Sequence, residues 1–185
     1  MVVYIADYTP NLTIGKDAPS KVNCLIEIPK GSNVKYEYDE HNGNIKVDRI
    51  LHTSMVYPYN YGFVCGTLGE DGDPLDIMVI SGASFFPGTT VVVRPIGLLL
   101  MKDEEGIDTK ILGVGTDKID PEFKLVNDVD ALPENVKDRI AHFFKYYKSI
   151  EPGKWSEVSG WENASKAREV IDSAVKRAHS KDKHE

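Results

Sequence analysis

Hydrophobic and polar positions alternate along the first two-thirds of the chain and change to a helical rhythm in the last third. Residues 22–28 form a β-rich run that stops at Pro29, and residues 34–38 (Val-Lys-Tyr-Glu-Tyr) alternate with period two into a His41-Asn42-Gly43-Asn44 turn. Residues 45–51 return from that turn, which predicts a hairpin. Further strands are predicted at 61–68, 75–81, 89–101 and 110–116, with residues 69–74, Pro87-Gly88 and residues 103–106 as the breaks between them. Short strands at this spacing predict a closed or partly closed barrel. From Pro133, the apolar residues Val136, Ile140, Phe143, Phe144 and Tyr147 follow helical spacing as far as Pro152-Gly153. A second helix over residues 163–179 puts Ala164, Ala167, Val170, Ile171, Ala174, Val175 and Ala178 on one face. Lys176, Arg177, Lys181 and Lys183 follow near its end, where cations suit the helix dipole. Strands followed by two packed helices give an α+β class.

Composition narrows the class. At 185 residues the expectation is one domain spanning 1–185, and 41% hydrophobic with 28% charged residues excludes a disordered chain. No repeat or linker divides it. Cys24 and Cys65 belong to no metal-ligand cluster, so buried free thiols are expected rather than a zinc site or a disulfide framework. Residues 1–7 lack a basic leader region and no apolar run approaches the ~20 residues of a membrane span, so no membrane partner and a cytoplasmic location are expected. The net charge of −7 argues against holding nucleic acid by neutralising its backbone.

Candidate chemistry concentrates in Asp71-Gly72-Asp73-Pro74-Leu75-Asp76. Three carboxylates in six positions repel one another, and in a straight strand Asp76 would point away from Asp71 and Asp73, so convergence requires Gly72 and Pro74 to bend the chain. A calcium-binding EF-hand loop is excluded, because Asp76 stands where glycine is needed and Gly82 where the twelfth-position glutamate belongs. A second acidic cluster follows at Asp103, Glu104, Glu105 and Asp108, close to Lys110. Together these are hard oxygen ligands of the kind that Mg²⁺ or Mn²⁺ prefers, and carboxylates shared between ions suit phosphoryl chemistry. On residues 34–38, Lys35 and Glu37 share one face and Tyr36 and Tyr38 the other. Arg49, Tyr57, Tyr61 and Tyr147-Lys148 add cations and phenols, whereas His142, amid Ile140, Phe143 and Phe144, reads as a buried or interface histidine.

Taken in order, these segments resemble the soluble family I inorganic pyrophosphatases. The resemblance rests on Asp71-Gly72-Asp73-Pro74-Leu75-Asp76, supported by Ile26-Glu27-Ile28-Pro29, Lys35-Tyr36-Glu37, Val47-Asp48-Arg49, Tyr57-Pro58-Tyr59-Asn60-Tyr61-Gly62, Arg94-Pro95-Ile96-Gly97 and His142-Phe143-Phe144 leading to Tyr147-Lys148. It implies a five-stranded barrel of the OB type with additional strands and helices packed around it. It also implies Mg²⁺-dependent hydrolysis of pyrophosphate to two orthophosphates by direct attack of a metal-activated water. By the same resemblance, Asp71, Asp76, Asp103, Asp108 and Glu37 would hold several Mg²⁺ ions, with Mn²⁺ or Zn²⁺ as substitutes. Asp73 would be the general base, with Tyr61 also catalytic. Lys35, Arg49, Tyr57, Lys110, Tyr147 and Lys148 would bind substrate, with Glu27 and Glu104 lining the site. A homohexamer built from two trimers, with the His142 helix near the subunit contacts, is implied as well.

Two alternatives stay open at this stage. One is a related metal phosphohydrolase that prefers nucleotides or longer polyphosphates, and the other is an OB-type nucleic-acid binder, which the acidic charge disfavours. Eight candidate site acids against four candidate site bases leave four net negative charges in the site out of the chain's −7. Binding of a polyanion there must then depend on metal.

Overall fold

The computed structural model describes residues 12–181. The opening run read for a leader (residues 1–7) and Lys183 lie outside them. In chain order the elements are β1 (Val22–Ile28), β2 (Val34–Asp39), β3 (Asn44–Ile50), β4 (Asn60–Val64), β5 (Asp76–Ile80), β6 (Thr90–Asp103), β7 (Gly106–Ile107), β8 (Lys110–Gly115), α1 (Glu134–Tyr146), β9 (Ser156–Asn163) and α2 (Ala164–Lys181). Hydrogen bonding runs β1-β4-β5-β8-β6 and returns from β6 to β1, so five strands close into a ring. All ring pairs are antiparallel except β5 with β8. β7 and β9 extend β6 beyond the ring, and β2 and β3 form a separate hairpin. Closure leaves the ring without a free edge.

Strand alternation divides most of the apolar residues between two cores, with a smaller cluster of Leu25, Phe63 and Cys65 beside them. Ile77 and Val79 join Val22, Cys24, Ile26, Val64, Val91, Val93, Leu98 and Ile111. Every ring strand contributes to that cluster, so it fills the ring, and Ala167 and Ile171 of α2 pack on it. Met78 and Ile80 face the other way, into a core with Leu112 and Val114 of β8 and Ile140, Phe143 and Phe144 of α1. At roughly 1.5–3 kcal/mol per fully buried large side chain, these two layers dominate the favourable side of folding. Cys24 and Cys65 are buried free thiols, as the spacing predicts. No helix among the described residues is long and apolar enough to cross a membrane.

The structure departs from the expected pattern in four places. The strand predicted over 61–68 stops at Val64, because Gly66 turns the chain with φ +68°. α1 ends at Tyr146 rather than near Pro152-Gly153; beyond it the chain tightens into successive turns, with Ser149 N–H donating to Tyr146 O and Glu151 N–H to Lys148 O. β9 has no counterpart in the sequence reading. Its apolar residues Val158 and Trp161 are three apart, but Leu100 pairs with Gly160 and Met101 with Val158, so Ser159 is the extra residue of a bulge that lets both pack on one core. Finally, His142 is exposed on α1 against the Tyr146 ring (centroids 4.9 Å apart), not buried.

Candidate active site

A cleft of about 870 Å³ opens between the ring, the β2–β3 hairpin, the β6–β7 turn and the chain that follows α1. Every candidate site residue lines it: Glu27 on β1; Lys35 and Glu37 on β2; Arg49 on β3; Tyr57 before β4 and Tyr61 on it; Asp71 and Asp73 before β5 and Asp76 at its start; Asp103 closing β6; Glu104; Asp108; Lys110 opening β8; Tyr147 and Lys148.

The bend required between Asp71 and Asp76 is present. Gly72 adopts φ +97°, open only to glycine at low cost, and the turn closes through Gly69 N–H to Asp73 O (2.6 Å) and Asp73 N–H to Asp71 Oδ1 (3.1 Å). Bulges aim two other groups. Ile26 pairs with Gly62 and Ile28 with Tyr61, leaving Glu27 as the extra residue on β1; on β3 the extra residue is Asp48, and Lys35 pairs directly with Arg49.

Cations and carboxylates are interleaved. Lys110 is 4% exposed, and its Nζ donates to Asp76 Oδ2 (2.5 Å) and to Asp108 Oδ1. Burial works against its charge, but Asp76 and Asp108 outweigh burial and raise its pKa. Lys148 bonds Asp103 (2.8 Å) and Glu104 (3.0 Å), and Lys35 bonds Glu37 (2.6 Å) on the shared face that alternation predicts. Arg49 lies 2.7 Å from Asp48 and 3.4 Å from Glu151. An aromatic wall backs these ions: Tyr57 packs on Tyr61 (5.4 Å) and Phe143 (4.6 Å), and Tyr147 stacks on Phe143 (5.2 Å). Burial, reinforced by Asp76, pushes the Tyr61 phenol well above its usual range, and burial does the same to Tyr57. Both phenols therefore stay protonated near neutral pH, as hydrogen-bond donors.

Burial, then the charges of Asp71 and Asp76, raise the pKa of Asp73, which biases its carboxylate toward accepting a proton. Glu27 is pushed up to about 7, chiefly by burial, with Tyr38 N–H (2.7 Å) partly offsetting it. An acid whose folded pKa is raised contributes its full stability below the unfolded value of about 4.5 and loses it as pH rises through about 7. In metal-free protein the wild type should therefore lose up to about 3 kcal/mol relative to Glu27→Gln between pH 4.5 and 8. Urea melts at both pH values check this, and equal pH slopes in the two proteins contradict it.

The carboxylate set fits hard divalent cations. Among the described residues, no three acidic, histidine or cysteine side chains close round one point. Each ion would take few protein oxygens and keep several waters, which is the habit of Mg²⁺. The Lys110 ammonium between Asp76 and Asp108 already marks a place where two carboxylates share one cation.

Asp48, Glu151, Lys154, Ala178 and Lys181 contribute to the site without having been candidates from the sequence. Glu151, its side chain 8% exposed, faces Arg49 across more than half the chain, and among the described residues neither Arg49 Nε nor Glu151 Oε1 has a hydrogen-bond partner. Lys154 pairs with Glu104 at 2.7 Å, and Ala178 and Lys181 of α2 reach the cleft rim. Spacing carries no signal for contacts this distant; only Asp48 stood inside a motif.

Similarity to known proteins agrees with this geometry. A family profile described as Inorganic pyrophosphatase matches residues 24–179. An inorganic pyrophosphatase of Sulfolobus acidocaldarius is 56% identical over 166 residues, covering 90% of this chain and 96% of that one. The crystal structure of inorganic pyrophosphatase from Thermus thermophilus superposes with a TM-score of 0.88 at 45% identity, covering 91% of this chain and 97% of its own. That from Helicobacter pylori gives 0.89 at 44% identity, with 92% and 99% covered. The ring of five strands is accordingly the OB-like barrel of those proteins, and the chain is an enzyme that belongs to the inorganic pyrophosphatase family.

Proposed function

We propose that this enzyme hydrolyses inorganic pyrophosphate to two orthophosphates with Mg²⁺ as cofactor, by direct attack of water, with Asp73 as general base. The observation that carries the reading is the meeting of Asp71, Asp73, Asp76, Asp103 and Asp108 with Lys35, Arg49 and Lys148 around one cleft. Without bound cations, the surplus of carboxylates repels the substrate: two like charges 4 Å apart cost about 4 kcal/mol at an effective dielectric of 20. Asp71, Asp76, Asp103, Asp108 and Glu37 would hold the divalent ions, which supply charge screening at the phosphoryl oxygens and acidify water toward neutral pKa.

The protein's own groups do the rest. Asp73 takes the proton of the attacking water at a carboxylate oxygen, a transfer worth typically 10²–10⁴-fold. Arg49 presents a planar fork to two phosphate oxygens, and Lys35 and Lys148 act as point charges. Tyr57, Tyr61 and Tyr147 donate hydrogen bonds. The cations proposed for phosphate are paired with carboxylates proposed for metal (Lys35 with Glu37, Lys148 with Asp103), so arrival of metal and substrate is an exchange of partners and each favours the other. A hexameric assembly belongs to the same proposal, and the exposed His142 on α1 is free for a subunit contact among the described residues.

Orthophosphate release from pyrophosphate, tripolyphosphate and ATP at equal Mg²⁺ tests the substrate. Pyrophosphate should be hydrolysed far faster than the others; equal or faster hydrolysis of ATP contradicts the reading.

A further inference from the structure

We propose that Arg177, near the end of α2, is a positioning residue that clamps the acidic turn of residues 69–73. The proposal rests on the roles given above to Asp71 and Asp73. Leu68, the residue before the turn, is held at both of its backbone groups by α2: its N–H donates to Ala174 O (3.1 Å), and its carbonyl accepts from Arg177 Nη1 (2.5 Å). Arg177 Nη2 also lies 3.5 Å from Glu70 Oε1, so the guanidinium grips the chain on both sides of Gly69.

Past this grip, the backbone of the turn bonds to itself. Gly69 N–H donates to Asp73 O, Gly72 N–H to Gly69 O (3.4 Å) and Asp73 N–H to Asp71 Oδ1. Self-bonding fixes the shape of the turn and leaves its placement to whatever holds its ends. One end runs into β5; Thr67 Oγ1 ties the two ends together by donating to Val64 O (2.6 Å) and accepting from Leu75 N–H (3.0 Å). The other end is Leu68, and its holder is rigid: Ala167, Ile171 and Ala174 of α2 are fully buried, the first two in the ring core. The ring interior thus fixes α2, and α2 fixes the turn through a charge-assisted bond about twice as strong as a neutral one. Ala178, one residue beyond Arg177, lines the cleft itself, so the helix end and the acidic turn share one rim.

Positioning matters because a displacement of about 1 Å can cost ~10²-fold in rate. Arg177→Met keeps the apolar stem and removes the donors. In the full chain it should lower kcat about tenfold or more with KM for pyrophosphate little changed. It should also weaken Mn²⁺ binding measured calorimetrically without substrate, and speed amide exchange in residues 68–73 but not in α2. Arg177→Lys, which keeps a cationic donor, should recover part of each effect. Unchanged exchange and Mn²⁺ affinity in Arg177→Met overturn the clamp. So does a faster exchange spread along α2, which would make Arg177 a residue of helix docking only. These readouts need no turnover: if exchange and Mn²⁺ binding respond while Asp73→Asn keeps full activity, the clamp stands and the catalytic role of Asp73 falls.

Discussion

Asparagine in place of Asp73 is expected to lower kcat for pyrophosphate hydrolysis by about 10²–10⁴-fold, the usual worth of a positioned general base. The substitution is close to isosteric and removes the proton acceptor. Asp73 contributes its backbone N–H and C=O to the turn, and among the described residues its carboxylate makes no hydrogen bond or ion pair, so the turn and the stability should survive the change. Burial and the neighbouring carboxylates raise the pKa of Asp73, so the wild-type rate should fall as pH drops through that value, and the residual rate of Asp73→Asn should lack this acid limb. Steady-state kinetics across pH, with circular dichroism to verify folding, decide the matter. An unaffected kcat removes Asp73 from the chemistry.

Lys110→Met should have the largest effect on stability. It deletes a 4%-exposed ammonium that bridges two carboxylates, Asp76 and Asp108, and leaves them facing each other without a cation. Breaking a buried ion pair by removing one partner costs about 3–5 kcal/mol, mostly as the uncompensated charge left behind. In EDTA this corresponds to a fall in Tm of roughly 10 °C for a chain of this size. Mg²⁺ should restore much of the loss, because a ligand that binds only the folded state stabilises it by mass action and the two freed carboxylates are hard oxygen donors. Thermal melts of both proteins with and without Mg²⁺ check this, and a deficit of the same size in EDTA and in Mg²⁺ contradicts the view that Asp76 and Asp108 can trade an ammonium for a metal.

The parts of this molecule that were legible in the sequence are those whose signals are local. Period-two alternation marks β2, the heptad-like spacing of Ile140, Phe143 and Tyr147 marks α1, and Asn163, whose Oδ1 accepts from Lys166 N–H, marks the start of α2. The acidic turn was legible because Gly72 and Pro74 supply the bend that brings Asp71 and Asp76 to one cleft. What stayed hidden depends on long-range contact. β9 is disguised by the bulge at Ser159, which breaks the alternation that identifies a strand. Glu151 beside Arg49 and Arg177 on Leu68 join parts of the chain about 100 residues apart or more, and no spacing rule reaches that far. Burial of Lys110 was equally invisible: a lysine opening a strand reads as solvated until the cleft assembles over it, with Asp76, Asp108 and the Tyr61 ring against its ammonium.

The net-negative cleft should bind and hydrolyse a polyanion only once divalent cations occupy it. A Mg²⁺ titration of orthophosphate release from pyrophosphate by the wild-type protein tests it most directly. The rate should be at background in EDTA and rise to saturation as Mg²⁺ is added. Full hydrolysis in EDTA, or none at saturating Mg²⁺, would contradict the account.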